Sequence, residues 1–401
     1  MNGMVIIGAG ECGTRAAFAL REAGWSGPVT LIGTEPGVPY ERPPLSKPRD
    51  GIVLRKPICP PEAFGNAGIH YLADCTARSL DPVTKTVTLE NGEVLPYHRL
   101  LLATGATPRR LICRGGDRAL NLRSHADAEA IFARALPGHP VAIIGAGLIG
   151  MELASVLIRN GVPVHVIDTA PAPLTRAVPS HFAAQLHQRH QAEGVRFHLG
   201  QGVAEIGADG VALADGTFVP ADLTVAAIGV VPETGLAKAA GLATGNGILT
   251  DAELRSSAPD IFAAGDCAAA VQPDGSHLRQ ESWQNARTQA ETAARNMLGE
   301  SQPYAALPWF WSDQYDLGLQ VAGQPRPEYH MVRRPLPGGE LAFYLNAGQL
   351  VAAAGLGAGN STAREVKLAE MLILAGARPD PALLADSAIN LKSLLKSARA
   401  A

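Results

Sequence analysis

The stretch that decides the fold is Met4-Val5-Ile6-Ile7-Gly8-Ala9-Gly10-Glu11-Cys12-Gly13. Four apolar residues suited to a buried parallel strand run straight into a G-x-G-x-x-G loop. Thr14 to Ala23 then reads as a helix, with Ala16, Ala17, Phe18 and Leu20 available to pack and Gly24 as its stop. The glycines divide the work. Gly8 makes the tight turn, Gly10 lets backbone approach a pyrophosphate, and Gly13 lets helix and strand pack closely. The pyrophosphate would rest on the unpaired N–H groups at the helix N-terminus. A second strand, Val29 to Ile32, follows Pro28, and Glu35 stands 22 residues after Gly13, where an acidic side chain should hold ribose hydroxyls.

The pattern returns at residue 141. Val141 to Ile144 run into Gly145-Ala146-Gly147-Leu148-Ile149-Gly150, followed by a helix from Met151 to Arg159 and a stop at Asn160-Gly161. Val162 to Ile167 form the next strand, closed by Asp168 18 residues beyond Gly150. Two matches in the correct context predict an α/β fold with two Rossmann-like dinucleotide-binding domains. One site suits a resident cofactor and the other an exchangeable nicotinamide nucleotide. Asp168 favours a free ribose 2′-OH and repels a 2′-phosphate. Residues 169–174 hold no Arg or Lys to welcome that phosphate, and Arg176 is the nearest base. NADH is therefore expected over NADPH.

With 401 residues and a net charge of −3, the chain should form two or three domains and does not read as a nucleic-acid binder. The first strand begins at residue 4, which leaves no room for a targeting segment, and the most apolar window, Val141 to Ile158, is broken by three glycines and Glu152. Cysteines 12, 59, 75, 113 and 267 are widely spaced with no C-x-x-C, which predicts a reducing compartment and neither a thiol redox pair nor a sulfur-ligated cluster. A cytoplasmic protein without a membrane span is expected. His181, His187 and His190 fall on one helix-like segment and read as helix surface rather than as metal ligands.

Between these landmarks lies a proline-rich arm, Val38-Pro39-Tyr40-Glu41-Arg42-Pro43-Pro44-Leu45-Ser46-Lys47, which reads as stiff and non-helical. Thr84 to Leu89 with Asn91-Gly92 signals a hairpin, and Leu100 to Gly105 a buried strand ending in a turn. Asp260 to Asp266 reads as a third buried strand that delivers a carboxylate. From about Pro308, Tyr315 to Val321, Leu341 to Leu345 and Leu350 to Ala354 read as strands and Thr362 to Ala375 as a helix, so an antiparallel sheet backed by a helix is expected.

Taken together, the arm, Ala103-Thr104-Gly105-Ala106, Ile261 to Asp266, Glu281-Ser282-Trp283-Gln284-Asn285-Ala286 and Pro308-Trp309-Phe310-Trp311-Ser312-Asp313-Gln314-Tyr315 resemble the FAD-dependent ferredoxin reductases. These serve bacterial ring-hydroxylating dioxygenases, the 3-phenylpropionate type among them, and cytochrome P450 systems, and they share the glutathione reductase architecture. The resemblance implies one non-covalent FAD in the first unit, with NADH as donor in the second. It places Arg42 along the FAD pyrophosphate and Lys47 near flavin N5, paired across the two domains with Glu152. Asp266 would hold the ribityl chain, Thr104 and Gly105 would join the FAD site, and Trp283 and Trp311 would lie near the flavin. Gly229 would join Gly145, Gly147, Gly150, Glu152 and Asp168 at the nicotinamide nucleotide, with Glu233 standing where relatives often have Asn. Cys12 reads as packing.

The implied domains are an FAD domain over 1–108 and 236–307, an NAD domain over 109–235, and a C-terminal α+β domain over 308–401. The implied activity is NADH:ferredoxin oxidoreduction, with a [2Fe-2S] ferredoxin (Rieske-type included) as partner and a separate terminal oxygenase downstream. Two alternatives stay open. One is a rubredoxin reductase or NADH oxidase on the same scaffold; the other is a redox-controlled binding protein of the apoptosis-inducing-factor type. Arg109-Arg110, Arg114 and Arg118, or Arg333-Arg334 with Lys392 and Lys396, are candidate docking clusters for an acidic partner.

Overall fold

The computed structural model describes residues 3–48 and 51–400. The chain divides into two compact units: residues 1–43, 55–107 and 230–306 form the first, and residues 44–54, 108–229 and 307–401 the second.

In the first unit, the opening strand Gly3–Ile7 pairs in parallel with Val29–Ile32 on one side and Val94–Leu102 on the other. Ile69–Leu72 and Ile261–Ala263 extend the parallel sheet. The strand Val94–Leu102 has two characters. Its first residues alternate exposed and buried and pair antiparallel with Thr86–Leu89, whereas Leu100, Leu101 and Leu102 are all buried between parallel neighbours. A strand covered on both faces needs a continuous apolar run, which is what the sequence supplies there. The helices Glu11–Glu22 and Trp283–Met297 pack through Ala16, Ala17, Leu20, Ala290, Ala293 and Ala294, five alanines that let them approach closely and one leucine. The first helix starts three residues before the expected Thr14, because the glycine loop closes directly into its first turn. The arm pairs with the 55–58 segment through Glu41 N–H to Lys56 O at 2.8 Å and Ile58 N–H to Pro39 O at 3.0 Å. It is not helix-free: Pro43–Ser46 forms one 3₁₀ turn, which prolines tolerate in a first turn because no N–H is needed there.

In the second unit, five parallel strands run in the order Arg196–Leu199, Val164–Asp168, Val141–Ile144, Leu223–Ala226 and Leu120–Asn121. Helices Leu148–Arg159 and Ser180–Ala192 cover it. The C-terminal region is a five-stranded antiparallel sheet, with Trp309–Gln314 at one edge and His330–Leu336 at the other. The helix Ala363–Leu374 backs it through Val366, Ala369 and Leu372. The sequence reading missed both edge strands, since a partly exposed edge needs no clean apolar alternation. This sheet and the 141–229 region share one core: Leu153, Leu157 and Phe182 lie in the same apolar cluster as Leu319, Val321 and Leu356. Among the described residues no helix is long and apolar enough to cross a membrane.

Candidate functional site

Two cradles of the same shape stand at the ends of the two parallel sheets. A Cβ on Gly8 would lie 2.1 Å from Ala103 O, and one on Gly13 would lie 1.8 Å from Gly8 O. The fold itself forbids side chains there. Gly10 is different: a Cβ would meet nothing within 4 Å, and its φ of −73° suits any residue. The second cradle repeats this, with Gly145 2.4 Å from Ala227 O, Gly150 2.0 Å from Gly145 O, and Gly147 facing open space. A middle glycine that the protein does not need, beside free N–H groups of a helix start, fits a ligand pyrophosphate approaching the backbone. The residues present therefore fit two dinucleotides.

Around the first cradle, Glu35 accepts hydrogen bonds from the Tyr40 hydroxyl and, at 2.8 Å, from Arg42 Nη2. The structure thus brings Arg42, expected along a pyrophosphate, together with the expected ribose acid. Thr104 donates to Glu233 O at 2.6 Å, and Glu233 N–H returns a bond to Gly105 O at 2.9 Å. Asp266 lies in the 3₁₀ turn Gly265–Cys267, whose Gly265 N–H donates to the buried Gln289 at 2.7 Å. Trp283 opens its helix, with the Arg287 guanidinium 5.6 Å over its ring. Burial raises the Glu11 carboxyl above its ordinary range, against the pull of Arg287. Glu11 occupies a loop position that the glycine pattern leaves free, and the sequence reading passed it over.

Around the second cradle, Asp168 accepts from Ala146 N–H at 2.6 Å and from Ala170 N–H at 2.8 Å, so the acid braces the glycine loop itself. A Cβ on Gly229 would lie 3.7 Å from Arg176 Nη1 and 3.9 Å from Arg109 Nε. Two guanidinium groups thus stand at the expected nucleotide position, one of them drawn from a cluster read as a docking face.

Glu152, in the first turns of the helix after the second cradle, is 5% exposed and is the centre of a polar cluster. Its Oε1 accepts from Lys47 Nζ at 3.2 Å and from Ser312 Oγ at 2.7 Å; its Oε2 accepts from Ser46 Oγ at 2.6 Å. Lys47 Nζ also reaches Asp313 Oδ2 at 3.0 Å. Burial works against the Lys47 charge, but Glu152 and Asp313 outweigh it and hold the ammonium above its ordinary pKa. The expected pair is present, but Lys47 and Glu152 belong to one compact unit, because residues 44–54 join the second unit while the rest of the arm stays with the first. Ser46 and Ser312 were missed as ligands of this carboxylate. Trp311 lies one residue before Ser312, its ring 5.4 Å from that of Trp309.

Two expectations are corrected. Arg334 cannot dock a partner: it is 2% exposed and donates to the backbone carbonyls of Leu384 at 3.2 Å and Ser387 at 3.5 Å, and to that of Ile389. Alternation along His330–Leu336 turns Arg333 outward, onto Glu340, and Arg334 inward. Nor is the histidine helix simply surface. His190 is fully buried, and burial lowers its pKa to about 4.

One chain holding two dinucleotide cradles, the second followed by a buried acid–lysine pair, has the build of a two-nucleotide oxidoreductase. The chain belongs to the pyridine nucleotide-disulphide oxidoreductase family, whose model matches residues 3–290; a "Reductase C-terminal" model matches residues 309–395. It is 38% identical to the 5,5'-dehydrodivanillate O-demethylase ferredoxin reductase subunit of Sphingobium sp., covering 97% of each chain. It is 39% identical, over 98% of each, to the ferredoxin--NAD(+) reductase component of the anthranilate 1,2-dioxygenase system of Burkholderia cepacia. Among solved structures, the covalent putidaredoxin reductase–putidaredoxin complex matches with a TM-score of 0.92 at 31% identity, covering 100% of this chain and 99% of the other.

Proposed function

We propose that this chain is an FAD-dependent NADH:ferredoxin oxidoreductase that passes electrons to a [2Fe-2S] ferredoxin feeding an aromatic-ring dioxygenase or a cytochrome P450. The observation that carries the reading is the pair of matching cradles, each with a middle glycine open to a ligand. The relatives' names support the partner class. We assign FAD to the cradle of Gly8, Gly10 and Gly13 and NADH to that of Gly145, Gly147 and Gly150. Residues 1–108 and 236–307 then serve as FAD domain, 109–235 as NAD domain and 308–401 as C-terminal domain. The cytoplasm is the proposed compartment, in keeping with five free cysteines.

The bound flavin supplies the chemistry that converts a two-electron donor into one-electron deliveries. The chain's own share is binding, orientation and charge. Gly10 and Gly147 admit the pyrophosphates onto helix N-termini. Asp168, which braces the loop at Ala146, would also hold an unphosphorylated ribose. Glu152 fixes the Lys47 ammonium at one point, and a fixed cation is worth most where negative charge develops away from water. The fold's disulfide-reducing members use an exposed, reactive thiol. Here burial pushes all five thiols upward, the partly exposed Cys59, Cys75 and Cys113 included, so none is an activated thiolate and electrons leave by another route.

The test is cytochrome c reduction by NADH with and without an added [2Fe-2S] ferredoxin. Turnover that requires the ferredoxin supports the reading. Rapid NADH consumption with oxygen alone would favour the oxidase, and NADH-dependent dimerisation without turnover would favour the binding protein.

A further inference from the structure

Behind Glu152 the structure holds a buried polar chain: Glu152, Ser312, Gln314, His190 and Tyr315. Ser312, Gln314 and His190 are each at most 1% exposed. Ser312 Oγ lies 2.7 Å from Glu152 Oε1, Gln314 Nε2 lies 3.2 Å from Ser312 Oγ, His190 Nε2 lies 2.9 Å from Gln314 Oε1, and the Tyr315 hydroxyl lies 2.9 Å from His190 Nδ1. At the far end Arg189 stands 5.1 Å over the Tyr315 ring and pairs with Asp316 at 3.0 Å and Glu193 at 2.8 Å.

The direction of every bond follows from its acid end. A carboxylate only accepts, so the single Ser312 proton goes to Glu152. Ser312 Oγ must then accept from the Gln314 amide nitrogen, which turns the Gln314 carbonyl toward His190. His190 must carry its proton on Nε2 to meet that carbonyl, which leaves Nδ1 to accept from Tyr315. All donors point toward Glu152. Burial keeps His190 neutral near pH 7, in accord with this tautomer. An amide does not relay protons readily, so the chain orients and polarises rather than conducts.

We propose that Gln314 and His190 are positioning residues for the Lys47–Glu152 pair, holding Glu152 as a fixed acceptor so that Lys47 is held at one point. The proposal rests on the reading of the Lys47 ammonium as the fixed cation that steadies negative charge on the flavin as NADH reduces it. Losing one hydrogen bond to a charged group corresponds to about tenfold or more in an equilibrium or rate.

The first test does not depend on turnover. Nitrogen NMR of histidine-labelled holoprotein at pH 7, with His190 assigned by its loss in His190→Gln, should show a neutral ring protonated at Nε2. A ring protonated at Nδ1, or an imidazolium, overturns the chain. The second is anaerobic stopped-flow reduction by NADH. Gln314→Glu puts an acceptor where Ser312 needs a donor, and should lower the limiting rate about tenfold with the NADH dissociation constant changed less than about twofold. Ser312→Ala should do the same and Ser312→Thr should restore most of it, with flavin content as the folding control. Unchanged rates in Gln314→Glu and Ser312→Ala, beside a slowed Glu152→Gln, overturn the positioning role alone. An unchanged Glu152→Gln overturns the assignment of the pair as well.

Discussion

Replacing Gly10 by Ala separates what the fold needs from what a ligand needs. The new methyl meets no atom within 4 Å and the backbone angles, φ −73° and ψ −168°, are open to alanine. The unliganded protein should therefore fold normally and gain about 0.4–1 kcal/mol from the lower entropy of its unfolded chain. The methyl sits where the pyrophosphate must approach the backbone, so at least one charge-assisted bond of about 1.5–3 kcal/mol is lost. That is roughly a 10- to 150-fold weaker hold on FAD. Gly13→Ala is the contrast: its Cβ would lie 1.8 Å from Gly8 O, so it should fail to fold well with or without flavin. The assay is the flavin-to-protein ratio after dialysis, beside urea unfolding of the flavin-free proteins. Full flavin retention in Gly10→Ala, or its unfolding, would refute the reasoning.

Further outcomes follow from the same geometry. Gly147→Ala should keep its FAD yet raise the NADH concentration for half-maximal reduction roughly tenfold or more; a simultaneous loss of flavin would contradict the assignment of the two cradles. The enzyme should use NADH with a kcat/KM at least about tenfold above that with NADPH, since Asp168 repels a 2′-phosphate; comparable values would count against that role. Arg334→Ala leaves buried carbonyls of the 384–389 segment without donors and should cost about 2–5 kcal/mol in urea unfolding while leaving the salt dependence of ferredoxin turnover unchanged; a change in that dependence would restore Arg334 as a docking residue. The pKa of His190 is about 4 folded against 6.5 unfolded, so the unfolded chain binds the extra proton. The His190 share of stability should be whole above pH 6.5 and fall by up to about 3 kcal/mol as pH drops to 4, read as the difference between the parent and His190→Gln; a difference that does not change with pH would remove the cause.

Legibility in the sequence tracked locality. The glycine cradles and their strands could be read because each lies in one short run with a strict pattern, and the structure puts Gly8, Gly13, Gly145 and Gly150 where no side chain fits. The strand Trp309–Gln314 was hidden, because its aromatic and polar residues mask the period of two. The ligands of Glu152 were hidden for another reason. Ser46 and Ser312 stand 106 and 160 residues away from it, and a serine has no spacing signature. Arg334 was misread because charge alone does not tell which side of a strand a residue faces; only the register with Gly339–Asn346 does. His190 shows the same limit, since its partners Gln314 and Tyr315 are fixed only once the antiparallel sheet is in place.

The central claim is an electron path from NADH through FAD to an iron–sulfur protein, and anaerobic stopped-flow mixing tests it most directly. NADH added to the yellow protein should bleach the flavin absorbance within the mixing experiment, and a [2Fe-2S] ferredoxin added next should restore it as the ferredoxin itself becomes reduced. Bleaching that persists in the presence of ferredoxin and reverses only when oxygen is admitted would contradict the account.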